Sequence, residues 1–144
     1  MGDPPKIQSP RIVYRWPYVY SFSMSSKPKK HRLGPQLRVY LSPNDHLGPG
    51  KADIMELIAK TGSIVAAGKA MDMSYRRAWL LVDTLNNMFK TPLVTKTKGG
   101  KGGGGGAELT PLGKHVLARY RSMEKKTAKA IAGDLKALLK AGRT

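Results

Sequence analysis

Two stretches of this 144-residue chain carry side chains suited to chemistry on a polyanion. The first is Ser74, Tyr75, Arg76 and Arg77. A serine able to cap a helix, followed at once by a tyrosine and two arginines, places several hydrogen-bond donors in one helical turn. Arginine recognises guanine through O6 and N7 with a two-pronged hydrogen bond. The backbone N–H groups of such a first turn also favour a phosphate. An isolated arginine pair fits a solvated basic turn equally well, so the surrounding elements must decide. The second stretch follows a predicted strand. Lys96, Lys98 and Lys101 alternate there with a glycine run that includes Gly99, Gly100 and Gly102. Glycine allows backbone to approach a phosphate or a minor groove closely. A phosphate-binding Walker loop is excluded, because no Gly-Lys-Ser or Gly-Lys-Thr occurs and no helix follows the glycines directly. An inert flexible linker is the plain alternative. Trp79, beside the core position Ala78, reads as a packing residue next to this loop rather than as a contact to a ligand.

Catalytic constellations are missing from the pattern. His31, His46 and His115 share no metal-ligand spacing, so no metal is expected. Asp53 and Glu56 lie among lysines and read as a solvated face rather than an acid–base couple. With no cysteine, a disulfide scaffold, a thiol nucleophile and a thiolate metal site are excluded. No enzyme activity and no cofactor are expected.

The elements that must position the two basic stretches can be read from periodicity. Leu37, Val39 and Leu41 alternate with Arg38 and Tyr40, which predicts a short half-buried strand over 36–41. The run 42–50 is rich in turn residues and predicts a connection. A first helix is expected from Lys51 to Lys60 with Ile54, Leu57 and Ile58 inward, ended by Gly62 in a left-handed cap. Ser63 caps a short second helix to about Met71, whose small residues permit close packing. Ser74 caps a third helix to about Phe89, with Ala78, Val82 and Leu85 inward. Strands over 91–97 and 107–110 flank the glycine run. A long helix then spans Pro111 to about Ala141. Along it Val116, Tyr120, Met123, Thr127, Ala130, Asp134 and Leu138 recur at nearly heptad spacing, widened by Leu117, Ile131, Leu135 and Leu139.

The bulk numbers agree with this reading. Lys and Arg total 26 against 9 acidic residues, a formal charge of +17, and the excess is positive in every part of the chain. Such a balance favours a nucleic-acid partner. No window of 18 apolar residues occurs, so no membrane span and no membrane partner are expected. The segment around Trp16 is too rich in tyrosine and proline for a signal peptide. Met24 is a candidate native start, with 1–23 an upstream extension.

The stretches Thr61-Gly-Ser-Ile-Val-Ala-Ala-Gly-Lys-Ala70, Met73-Ser-Tyr-Arg-Arg-Ala-Trp-Leu-Leu-Val-Asp-Thr-Leu-Asn86, Gly99-Gly-Lys-Gly-Gly-Gly-Gly105 and Leu109-Thr110 together resemble the N-terminal DNA-binding domain of ModE-type molybdate-responsive regulators. The resemblance covers about residues 36–125. It implies a LysR-like winged helix-turn-helix whose flanking helices pair two subunits. Full-length members of that family carry C-terminal oxyanion-binding modules. Since this chain ends at Thr144, a stand-alone form is expected, and molybdate is not expected as a ligand.

The expected fold is therefore mainly α with a small β wing: a winged helix-turn-helix followed by a long C-terminal dimerisation helix. Its parts are a basic flexible arm (1–32), the DNA-binding domain (33–113) and the dimerisation helix (114–144). Candidate DNA contacts are Ser63, Ser74, Tyr75, Arg76, Arg77, Lys96, Lys98, Gly99, Gly100, Lys101 and Gly102. Candidate dimer contacts are Val116, Tyr120, Met123, Ile131, Leu135 and Leu138. The expected function is a cytoplasmic, nucleoid-associated homodimeric regulator reading a two-fold site on double-stranded DNA. The alternative is an architectural chromatin protein with weak sequence preference, and a third reading is an adaptor whose long helix recruits another protein.

Overall fold

A computed structural model describes residues 34–98 and 106–143, all within the unit Arg32–Thr144. The arm expected over 1–32 lies outside the described residues, as do Gly99, Gly100, Lys101 and Gly102. The described residues are mainly helical with two small antiparallel sheets. The elements run β1 (Val39–Ser42), β2 (Asp45–Leu47), α1 (Pro49–Thr61), α2 (Ile64–Ala70), α3 (Tyr75–Met88), β3 (Val94–Thr97), β4 (Gly106–Leu109), α4 (Pro111–Ala130) and α5 (Ala132–Ala141).

The first hairpin departs from the sequence reading. Asp45–Leu47, expected as part of a connection, is a strand paired with β1. The register shifts between Tyr40 and Ser42. Such a bulge breaks the in–out alternation of a strand. Leu41, expected inward, is 48% exposed as a result, whereas Leu37 packs on the core. The first helix also begins earlier than its apolar stripe suggests. Pro49 takes the opening position behind Gly48, a place where the missing N–H of proline costs nothing.

α1 ends as expected. Gly62 adopts φ 71°, and its N–H donates to the Ile58 carbonyl. α2 and α3 pack through a close approach. A Cβ at Gly68 would lie 2.8 Å from the Ala78 Cβ, so only glycine fits there. The turn between these helices carries Asp72 at φ 55°, the left-handed region that short polar side chains tolerate. Met73 N–H closes the turn on the Gly68 carbonyl.

One core joins α1, α2, α3, the second hairpin and the start of α4. Ile54, Met55, Ile58, Ala78, Val82, Leu85, Leu93, Val94 and Leu109 are buried in it. Each large aliphatic side chain so buried contributes about 1.5–3 kcal/mol. Val116 and Tyr120 belong to the same core. Arg121, the next residue, fastens α4 to α1 at 2.8 Å from Asp53 and 3.3 Å from Glu56, and it also meets Glu124 at 2.9 Å. Asp53 and Glu56 are thus ion-pair partners rather than the solvated face expected. Burial opposes the Arg121 charge, but hydrogen bonds to Asp53 and Glu124 outweigh it, and the net effect holds its pKa above the ordinary value.

The long C-terminal helix is interrupted at Ile131, the residue that separates α4 from α5. The break is local, since Ile131 N–H still donates to Thr127 and Leu135 N–H to Ile131. Gly133, a poor helix former, lies two residues further on. No residue of α5 is buried.

Candidate nucleic-acid interface

The basic first turn of α3 is built by its cap. Ser74 is extended, and its Oγ accepts a 3.2 Å hydrogen bond from Arg77 N–H. Tyr75 and Arg76 are exposed, and Arg77 is half-buried. The Nε–H of Arg77 is buried and has no hydrogen-bond acceptor among the described residues. The Ser63 Oγ accepts from Ala66 N–H at 3.1 Å and so opens α2 in the same way. Both serine hydroxyls act as caps.

Downstream along α3 the helix is fastened to β3 and β4. The Asn86 side-chain oxygen accepts from the N–H groups of Leu93 and Val94, each at 2.9 Å. Its amide nitrogen donates to the Val94 carbonyl at 3.0 Å. β3 then pairs with β4 in the register Val94↔Leu109 to Thr97↔Gly106. β4 is held in turn by Ala107 N–H donating to the Gly62 carbonyl. At the foot of the hairpin, Thr110 N–H donates to Leu93 and the Thr110 hydroxyl donates to Pro92. The same hydroxyl accepts from Gly113 N–H and so caps α4. A Cβ at Gly113 would overlap the Leu93 carbonyl.

The sequence pattern assigns no fastening role to Asn86, Thr110 or Gly113. Asn86 had one available signal, since it lies one turn beyond Val82 on the inner face of α3, where an unpartnered amide would be costly.

The hairpin also meets the exposed end of α3. The Lys96 ammonium lies 4.7 Å from the centroid of the Trp79 ring. Tyr75 meets the same indole edge-on, with centroids 6.2 Å apart and planes at 82°. Lys98 is exposed at the end of β3. Tyr75 and Lys96 thus meet on Trp79, and Arg76 and Arg77 lie in the first turn of the same helix. Trp79 packs against the core and beside the hairpin.

Two of the expected dimer contacts have another place. Val116 and Tyr120 are turned into the protein's own core, where they fill the apolar gap behind α1. Their repeat along the helix is the start of an intramolecular seam. Met123 is exposed, Ile131 and Leu135 are half-buried and Leu138 is 70% exposed. His46 stacks on Tyr40 at 5.2 Å, and burial together with Lys51 and Arg38 lowers its pKa. No group of three or more metal-ligating side chains is found among the described residues. No helix there is long and apolar enough to cross a membrane.

Comparison with known proteins bears on this basic, helix-borne site. The chain is similar to the ModE and Mop proteins. It is 39% identical over 92 residues to the molybdenum-pterin-binding protein MopB of Rhodobacter capsulatus, covering 64% of this chain and 34% of that protein. It is 42% identical over 71 residues to the molybdenum transport protein ModE of Azotobacter vinelandii, covering 49% and 26%. It is 36% identical over 72 residues to the DNA-binding transcriptional dual regulator ModE of Escherichia coli (strain K12), covering 50% and 27%. No family model matches the chain. The chain spans about a third or less of the length of these relatives.

These names overturn one expectation. The sequence alone makes molybdate an unexpected ligand, on the ground that no oxyanion module follows the long helix. Relatives of this chain are named for binding molybdenum-pterin and for molybdenum transport, so that exclusion is withdrawn. Their descriptions are those of regulators, transport proteins and binding proteins rather than enzymes.

Proposed function

We propose that this chain is a DNA-binding transcriptional regulator. In this reading α2, its turn and α3 form a helix-turn-helix of the LysR-like winged kind, and the β3–β4 hairpin is its wing. The observation that carries the reading is the placement of Arg76 and Arg77 in the first turn of α3, a helix on which Lys96 of the hairpin is seated at Trp79. A recognition helix presents its N-terminal residues to base edges in the major groove, while basic residues on a wing meet phosphates. The relative named as a DNA-binding transcriptional regulator supports it.

Arg76, Arg77 and Tyr75 are then the readers. Lys96 and Lys98, with Gly99, Gly100, Lys101 and Gly102 beyond the described residues, are the wing's backbone contacts. Ser63 and Ser74 act through the helix starts that they cap. Two copies pair through the apolar residues left outside the core, Met123, Ile131, Leu135 and Leu138, and read a two-fold site. The regulated process in this reading concerns molybdenum, which the relatives' names support.

The test begins by mapping bound sites across the genome. The preferred sequence then competes against random DNA at one stated salt concentration, with and without molybdate. A regulator prefers its site by about a thousandfold or more. Equal affinity for both DNAs would replace this reading by that of an architectural protein.

A further inference from the structure

We propose that Trp79 is the positioning residue of this interface. Its single indole holds Lys96 of the hairpin on its face and Tyr75 of the reading helix in a perpendicular ring contact, so the two elements keep one relative orientation. The inference rests on the DNA-binding reading above.

A two-stranded hairpin is marginal by itself and must be fixed to something. Asn86 fixes its foot, through Leu93 and Val94. Ala107, opposite Lys96, holds β4 to the Gly62 carbonyl at the end of α1, which leaves β3 to be held at that level. Val94 and Lys96 are two residues apart on β3, so their side chains leave the same face of the strand. Trp79 and Asn86 are seven residues apart on α3 and share a face of that helix. The strand therefore meets the helix at two levels. At one the amide of Asn86 binds backbone at Val94, and at the other the ring of Trp79 lies under the ammonium of Lys96, 4.7 Å from its centroid.

Lysine is a flexible, strongly hydrated cation, and an exposed one has no fixed direction of its own. An indole face supplies that direction, because its negative quadrupole attracts the ammonium. The Tyr75 ring, one turn before Trp79, is set by an edge-to-face contact with the same indole. Tyr75 is 56% exposed, so its polar end remains available beside the arginines. With Lys96 on its face and the Tyr75 ring perpendicular to it, Trp79 is engaged twice over. It orients the residues that touch DNA rather than stacking on a base.

The test uses the full chain with Trp16→Phe, which leaves Trp79 as the single tryptophan. In the free protein, NMR should find the Lys96 side-chain methylene protons shifted upfield by the indole ring current. The shift should vanish in Trp79→Leu and be retained in part in Trp79→Phe. On the preferred DNA site, at a temperature where melting shows each variant folded, Trp79→Leu should weaken binding about two- to fivefold. The dependence of log affinity on log salt should become shallower. Lys96→Met should cost a similar factor alone and nothing further in the Trp79→Leu background, since the two act as a unit. Additive losses, or Lys96 protons at ordinary positions in the wild type, would overturn the proposal. If Trp79→Leu does not fold, Trp79→Phe with Lys96→Met decides by the same cycle. A wild-type protein that binds neither the mapped site nor random DNA would sink the DNA reading itself, while the ring-current shift, measured without DNA, separately decides whether Trp79 holds Lys96.

Discussion

The phenol of Tyr120 donates a 2.8 Å hydrogen bond to the backbone carbonyl of Leu37, 83 residues earlier in the chain. It ties the segment before β1 to the middle of α4, and Tyr120 itself is only 1% exposed. Tyr120→Phe should lower stability by about 1 kcal/mol. Burial, with the nearby Glu124 carboxylate, pushes the Tyr120 pKa from 10.0 up to about 12. The folded state therefore keeps this proton at a pH where the unfolded chain has lost it. The corresponding stability is fully present below pH 10 and is lost as pH rises through 12. Urea denaturation at several pH values across that window should find the wild type falling towards Tyr120→Phe, and a constant difference between them would refute the assignment.

Asn86→Ala should release the foot of the hairpin. Two backbone N–H groups and one carbonyl lose their partner together. The expected cost is about 1–3 kcal/mol. Hydrogen exchange should quicken at Leu93 and Val94 more than within α1. Asn86→Asp keeps the acceptor but loses the donor to Val94 and should fall between the two. Uniform quickening across the domain would mean that Asn86 serves general packing only.

Arg77 carries a buried Nε–H without an acceptor among the described residues. Leaving such a donor unsatisfied costs about 1–3 kcal/mol. Arg77→Met, which keeps the stem and removes that group, should raise the melting temperature while weakening binding to the preferred site. Arg76→Ala, at an exposed position, should leave melting unchanged and cost about 1–3 kcal/mol of discrimination between the preferred site and random DNA. If Arg77→Met lowers both melting and affinity, the guanidinium is a structural group.

Leu138→Glu should separate the proposed pair of subunits. Leu138 and Leu139 are exposed on a helix with no buried residue, and an apolar stripe of that kind calls for a partner. Light scattering at micromolar concentration should find a dimer for the wild type and a monomer for the variant, with the melting of the core unchanged. A monomeric wild type, with and without DNA, would remove the pairing role of α5.

The inner face of α3 was legible because Ala78, Val82 and Leu85 repeat at helical spacing and nothing competes with that pattern. The caps Ser63 and Ser74 were legible because serine before an apolar helix has one dominant use. β2 was not, because three residues in a turn-rich run show no alternation, and the bulge beside it turned Leu41 outward. The apolar repeat of α4 was seen but its partner was not. Periodicity gives a buried face without saying what buries it, and for Val116 and Tyr120 it is the protein's own core. Within the candidate site the arginines and lysines were visible as residue types. The fastening by Asn86, Thr110 and Gly113 depends on backbone groups distant in sequence, which no local pattern contains.

Gly113 has a mechanical consequence. Its bare Cα lies against the Leu93 carbonyl, and Thr110 and Asn86 bolt the same short stretch to α4 on one side and α3 on the other. α4 leaves this junction as a helix of 20 residues, about 30 Å long. A junction so fastened would act as a welded joint rather than a hinge, and the far end of α4 and the proposed reading helix would share one frame. Two such frames joined beyond Tyr120 would behave as a ruler: the distance between their arginine pairs would be set by the protein, and DNA whose half-sites fall at another separation would have to bend or be refused.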